Sequence, residues 1–375
     1  MKLVSDRIRQ ANTLLAAYAV PHGNGLGRVH AESDDVTRFP FQRDRDRIIH
    51  TQAFRRLKHK TQVFVSGHGD HYRTRLTHTL EVANVSRNIA RALGLNEDLA
   101  EAIALAHDLG HTPFGHAGEE AMNACMKKYN ASFEHNHQSL RIVTLLEDRS
   151  KAYSGLNLSR EILEGLIKHR PSPSGLRSAS RSLSLEAQVV NFADEIAYTA
   201  HDTDDGLRAG QFSYADIEKT KLGKMASVKA KKDFSELRGA IVSVLVSDLY
   251  EETERRLASE KICTLKDVYA SDTELVGFSV STVRMIGELR QFLWNHLYKS
   301  PSVLKQATRG QRVITALFTA YMKSPPAKIK ALRKKHGGSL EEAVKDYIAG
   351  MTDTYAMEMS KELSVPRIRD AASRR

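Results

Sequence analysis

Two histidines occupy positions where the surrounding pattern calls for apolar side chains. His78 falls on the stripe of Val82, Val85 and Ile89, and His107 falls on the stripe of Leu99 and Ile103. One inward-facing histidine is ordinarily a hydrogen-bonded core residue. Two of them, with Asp108 directly beside one, call for a partner that satisfies them together. A divalent cation does so, because each neutral imidazole offers a nitrogen lone pair and a carboxylate supplies negative charge. Neighbouring side chains in mid-helix diverge by about 100°. His107 and Asp108 can therefore reach one ion only where their helix ends, and Gly110 is placed to release the chain there.

A fourth ligand has to come from a distant helix, and Asp194 is the best choice. Asp194, Tyr198, His201 and Asp202 form a polar line at spacings of three, four, seven and eight, whereas Val189, Val190, Phe192, Ile196, Ala197 and Ala200 around them are apolar. A merely solvated face would carry Lys, Glu or Gln in those places.

The elements that must position these groups are helices. Periodicity predicts helices over 76–93, stopped by Gly94, and over 97–107, with further stretches near 44–58, 117–129, 134–147, 159–168, 185–201 and 234–259. The apolar patch at 14–20 reads as an amphipathic opening helix. Period-two runs are short and isolated, so the expected class is all-α. Pro171, Pro173 and Gly175, followed by Arg177 and Arg181 among serines, mark an exposed basic loop. A lysine-rich connector (Lys219, Lys221, Lys224, Lys229, Lys231, Lys232) marks the best internal boundary, which gives a core over 1–215 and a helical C-terminal region over 216–375. A second basic stretch runs from Lys328 to His336, and 366–375 reads as a frayed tail.

Composition narrows the class further. The 375 residues carry a formal charge of +11, which suits an anionic partner without choosing among polyphosphate, nucleic acid and membrane surface. No segment approaches the ~20 apolar residues of a membrane span. Asp6, Arg7 and Arg9 ahead of the first apolar patch make a poor signal peptide. Cys125 and Cys263, far apart and in no metal-binding pattern, suit inert thiols in a reducing cytoplasm, the expected location.

In order along the chain, His78, His107-Asp108 and Asp194 resemble the H…HD…D signature of HD-domain phosphohydrolases. Longer text narrows the resemblance to the deoxynucleoside triphosphate triphosphohydrolases of the bacterial dGTPase type. Arg75-Leu-Thr-His78 is similar to their first-ligand helix, and Ala106-His-Asp-Leu-Gly-His-Thr-Pro-Phe-Gly-His116-Ala-Gly-Glu119 to their longest motif. Phe133-Glu-His135-Asn-His137-Gln-Ser139 and Ser184-Leu-Glu-Ala-Gln188 through Asp194-Glu-Ile-Ala-Tyr198 continue the match. Asp44-Arg-Asp-Arg47, Phe54-Arg-Arg-Leu57 and Lys60-Thr-Gln-Val-Phe64 precede it. Residues 30–210 carry the resemblance strongly and the remainder weakly.

The resemblance implies an HD-domain helical fold with a helical C-terminal extension. It also implies one ion, Mn2+ or Mg2+ with Fe a further candidate, held by His78, His107, Asp108 and Asp194. His116, Glu119 and His135 match positions implicated in catalysis. His116 is expected to transfer the proton, Glu119, one helical turn on, to orient it, and His135 to be the alternative acid. Arg75, one turn before His78, is expected to bridge phosphate oxygens, and His111 to face the phosphates. Tyr198 and Asp202 are expected to line the sugar and phosphate pocket, the tyrosine disfavouring a 2′-hydroxyl, while Gln62 matches a position near the sugar 3′-hydroxyl or base.

The implied reaction is attack of water at the α-phosphorus of a deoxynucleoside triphosphate, dGTP first, releasing deoxynucleoside and inorganic tripolyphosphate. Relatives of this type assemble as homo-oligomers, commonly hexamers. Two other readings keep parts of the pattern. One is another HD phosphohydrolase acting on a monophosphate or phosphodiester. The other is a nucleic-acid-binding regulator with a degenerate site, for which the basic stretches at 219–232 and 328–336 could hold single strands. After Ala209 no base-selecting motif is evident.

Overall fold

The computed structural model describes residues 4–23, 25–62, 73–167 and 182–364. The expected loop with Pro171, Pro173, Gly175, Arg177 and Arg181, the tail 366–375, and Val63 and Phe64 lie outside the described residues. Among the described residues no strand forms, and only two isolated bridges occur, Thr61 with Thr74 and Asp148 with Gly155. The protein is all-helical, and none of the described helices is long and apolar enough to cross a membrane.

Three helices form the centre. Arg75–Ala92 starts at Thr74, whose side chain accepts from the Thr77 amide, and stops before Gly94, which takes φ +67°. Glu97–Ala106 is capped by Asn96, and Leu185–Arg208 by Ser184. Each packs against the other two. Val82, Ile89, Leu99, Ile103, Val189 and Ile196 fill the space between them and are almost wholly buried. The apolar stripes read from sequence therefore face one another, and the polar residues sharing those stripes are forced together.

Several boundaries differ from expectation. The stretch 44–58 is two helices, Pro40–Ile49 and Gln52–Arg56, because Thr51 caps the second by accepting from the Phe54 amide at 3.0 Å. The opening helix is Val4–Asn12, ahead of the patch at 14–20. That patch instead runs as a strap, with the Ala16 amide donating to the Gly94 carbonyl and the Val20 amide to the Glu186 carboxylate. Within 134–147 the helix His135–Arg141 widens into a π turn over Ile142–Leu146, and 159–168 shortens to Arg160–Gly165. The lysine-rich connector is itself the helix Lys221–Asp233. Leu222 and Ala226 are buried there, while Lys221, Lys224, Lys231 and Lys232 point outward.

Buried apolar side chains fall into two clusters. One runs from Ala19 to Leu297 and contains the three central helices together with Leu222, Leu245 and Leu289. The other joins Phe114, Met122 and Met126 to Ile314, Leu317, Phe318, Val344 and Ile348. Each such side chain contributes about 1.5–3 kcal/mol on burial, so the helix Gly115–Lys127 is anchored to the C-terminal region rather than to the central three.

Candidate metal and catalytic site

The helix Glu97–Ala106 ends with His107 as its C-cap, and tight turns follow: the Leu109 amide donates to the Ala106 carbonyl and the His111 amide to the Asp108 carbonyl at 3.2 Å. This turn lets adjacent His107 and Asp108 point to one place. Gly110 does not supply the expected left-handed stop. Its value is close approach: a Cβ there would lie 2.1 Å from the His135 carbonyl oxygen and 2.3 Å from the Ser139 nitrogen. The Gly110 amide donates to Ser139 Oγ at 2.8 Å, and that hydroxyl donates to the His107 carbonyl at 2.8 Å.

Of the four expected ligands, His78, His107 and Asp194 converge as one group able to hold an ion, and Asp108, grouped more closely with His111 and His135, lies beside them. His78 Nε2 lies 3.0 Å from Asp194 Oδ1 and 3.9 Å from Asp108 Oδ2, and His107 Nε2 lies 3.3 Å from Asp108 Oδ1 and 3.7 Å from Asp194 Oδ1. Such separations suit ligands sharing one ion bonded at about 2.0–2.2 Å. His78, His107 and Asp108 are buried, whereas the Asp194 side chain keeps 22% of its exposure, so the site opens on that side.

The chemistry of the donors tests the fit. A carbonyl oxygen only accepts, so His107 Nδ1, 2.5 Å from the Ala104 oxygen, carries its proton, and in the neutral ring Nε2 presents a lone pair. That lone pair faces two carboxylate oxygens. Three electron-rich atoms at this spacing repel unless a cation lies among them, and a divalent metal ion supplies that charge. Burial opposes ionisation of Asp108, but the Arg75 guanidinium and the hydrogen bond from His111 outweigh it and hold the carboxyl well below its usual range.

A second cluster adjoins the first. His111 Nε2 lies 3.3 Å from Asp108 Oδ1, and its ring stacks on His135 with centroids 3.8 Å apart. Glu119 accepts from the His135 amide at 2.8 Å and meets its Nδ1 at 3.0 Å, but it lies 3.8 Å from His116 Nδ1. The His116 side chain is 79% exposed. Glu119 therefore grips His135 more closely than His116, its expected partner. Burial raises the Glu119 pKa, but the neighbouring His116, the hydrogen bonds from His135 and the charges of His135 and His111 outweigh it, so the carboxyl sits well below its usual range.

Among the expected substrate contacts, Arg75 is engaged already, its Nη1 donating to Asp108 Oδ2 at 2.8 Å. Tyr198, one turn beyond Asp194, is half-buried beneath the Arg290 guanidinium, 5.7 Å from the ring centroid. Asp202 is buried and accepts from the Tyr298 hydroxyl. Burial pushes its pKa up to about 6. Gln62 is half-buried, and its backbone oxygen borders Gly115. Arg290 and Tyr298 escaped sequence reasoning because they come from a region without motif, Tyr298 being 96 residues from its partner. His201 was visible on the Asp194 stripe; it pairs with Glu81 and sets its ring 5.7 Å from that of His78.

The sequence matches known protein families. An HD-domain model matches residues 75–199, and a phosphohydrolase-associated domain model matches residues 276–362. A deoxyguanosinetriphosphate triphosphohydrolase-like protein of Azoarcus sp. (strain BH72) is 47% identical, the alignment covering 93% of this chain and 96% of the relative. The chain belongs to the deoxyguanosinetriphosphate triphosphohydrolase-like family. Proteins of the same description from Brucella suis (strain ATCC 23445 / NCTC 10510) and Thiobacillus denitrificans are 45% and 46% identical, each over 93% of this chain. The HD match begins at Arg75 and takes in His78, His107, Asp108 and Asp194. The associated-domain match takes in Arg290 and Tyr298, which contact Tyr198 and Asp202 on the helix of Asp194.

Proposed function

We propose that this HD phosphohydrolase hydrolyses deoxynucleoside triphosphates, dGTP foremost, to deoxynucleoside and inorganic tripolyphosphate. The reading is carried by the convergence of His78, His107, Asp108 and Asp194 from three separate segments of the chain, and it is supported by the similarity to deoxyguanosinetriphosphate triphosphohydrolase-like proteins. These four residues hold the divalent ion, Mn2+ or Mg2+ with Fe a further candidate. When bound, that ion lowers the pKa of a coordinated water and takes up charge from a phosphate oxygen.

The remaining work falls to the chain's own side chains. Arg75 and His111 keep Asp108 ionised and oriented. Glu119, ionised, fixes the tautomer of His135 by accepting at Nδ1, which leaves Nε2 to exchange a proton at the leaving oxygen. His116, open to solvent, is the second candidate for that transfer. Tyr198 and Asp202, backed by Arg290 and Tyr298, form the wall beside the open face of the site, where the sugar is bound. Catalysis then consists of positioning and charge neutralisation. We read the active species as a homo-oligomer.

Incubation of the pure protein with each of the four deoxynucleoside triphosphates and Mn2+, followed by ion-exchange separation of products, tests the proposal. Deoxyguanosine and intact tripolyphosphate are expected from dGTP. Release of orthophosphate or pyrophosphate, or no turnover of any of the four, overturns it.

A further inference from the structure

The loop between the two clusters is held from behind by the C-terminal region through buried polar anchors. Asp353, the first residue of the helix Asp353–Ser364, is 2% exposed. One of its oxygens accepts from the Thr61 amide at 2.9 Å and from the Thr61 hydroxyl, and the other accepts from the Phe114 amide at 2.9 Å. Lys60, equally buried, donates its ammonium to the His111 carbonyl and, at 2.9 Å, to the Ala349 carbonyl.

Phe114 is the residue that most needs holding. It adopts φ 64° and ψ 25°, a left-handed conformation, at the start of the helix that carries His116 and Glu119. A non-glycine residue there costs on the order of 1–3 kcal/mol and persists only where its surroundings over-determine it. The surroundings do so from the C-terminal side. Asp353 takes the amide, and Gly310 admits the side chain, since a Cβ at 310 would come within 2.6 Å of Phe114 Cβ. The same segment reaches the metal helix: the Arg75 amide donates to the Lys60 carbonyl at 3.2 Å, and Thr61 bridges Thr74.

We infer that Asp353 is a positioning residue for hydrolysis, acting through Phe114 and Thr61 to set the His111–His116 loop against the metal helix. Lys60 is its companion at the His111 end. The inference rests on the reading that this loop serves hydrolysis, and the test separates the two. Asp353→Asn keeps one acceptor oxygen but turns an amide donor toward either the Thr61 or the Phe114 donors. Displacement of a catalytic group by about 1 Å can cost ~10²-fold, so a kcat loss of at least about tenfold is expected, with KM within about threefold of wild type. Bound metal is expected to be retained, and amide exchange at Phe114 to accelerate.

Thr61→Val is expected to behave alike and Thr61→Ser to match wild type, and this pair decides the matter if Asp353→Asn does not fold. Ile329→Ala, in the same C-terminal core but outside the anchor contacts, is expected to lower Tm without changing kcat of the folded protein. Wild-type kcat and unchanged Phe114 exchange in Thr61→Val or Asp353→Asn overturn the inference, as does an equal kcat loss in Ile329→Ala. An inactive wild type overturns the reading of the function, while exchange at Phe114 still reports on the anchor.

Discussion

Asp108 and Glu119 are carboxylates of neighbouring clusters, each kept ionised by the groups around it, but their partners differ in kind. Two imidazole nitrogens lie 3.3 Å from Asp108, and one of them, His107 Nε2, has its proton on the far side of the ring, committed to the Ala104 carbonyl. Around Glu119 the nearest imidazole nitrogen, His135 Nδ1 at 3.0 Å, can donate directly. In the inner cluster Arg75 meets Asp108 Oδ2, while the oxygens facing His107 Nε2 suit an added cation; the outer cluster is completed by a proton. On the proposed reading, the direction in which the histidines are tied separates metal chemistry from proton chemistry within one site.

The largest test of that division is Asp108→Ala, which is expected to abolish bound metal and turnover together, while His135→Ala keeps its metal, as read by elemental analysis of purified protein. Metal lost from His135→Ala, or kept by Asp108→Ala, would break the comparison. The next effect lies within the outer cluster. His135→Ala is expected to slow hydrolysis by ~10²–10⁴-fold and His116→Ala by less, because Glu119 orients the former; a greater loss in His116→Ala returns the proton transfer to that residue.

The smallest effect sharpens the comparison through a carboxylate that has neither kind of partner. Glu186 is fully buried and accepts from the Val20 and Asn96 amides, yet among the described residues no cation offsets its burial, which pushes its pKa from 4.5 up to about 7. The folded state then binds the proton more tightly than the unfolded one, so stability falls as pH climbs from about 4.5 to about 7. Glu186→Gln is expected to flatten that slope by on the order of 1–3 kcal/mol across the window in chemical denaturation. An unchanged slope would mean that burial alone does not set the behaviour of such acids here.

The meeting of His78, His107 and Asp194 was legible because each interrupts an apolar stripe, and stripes meet in a helical core. His78, His107 and Asp194 each break such a pattern. The preference of Glu119 for His135 was not, because spacing along one helix favours His116 at i−3, whereas His135 arrives from a different helix. Helix breaks were missed where a cap interrupts a continuous pattern, as at Thr51, and Lys221–Asp233 was missed because its lysines hide two buried apolar positions. Asp353 was invisible for a plainer reason: it meets Thr61 across 292 residues of chain, and one acidic residue at a helix start reads as an ordinary cap.

Ser139 receives the Gly110 hydrogen and passes its own to the His107 carbonyl, so the turn bearing the ion's ligands and the helix bearing His135 share one three-centre relay. Any drift of either carries the other along, which keeps the ion and the proton donor in step. Tyr198 and Asp202 lie outside that relay, on the helix that carries Asp194, so on the proposed reading substitutions there would alter the fit of the sugar while the hydrogen-bonded pair stays in place.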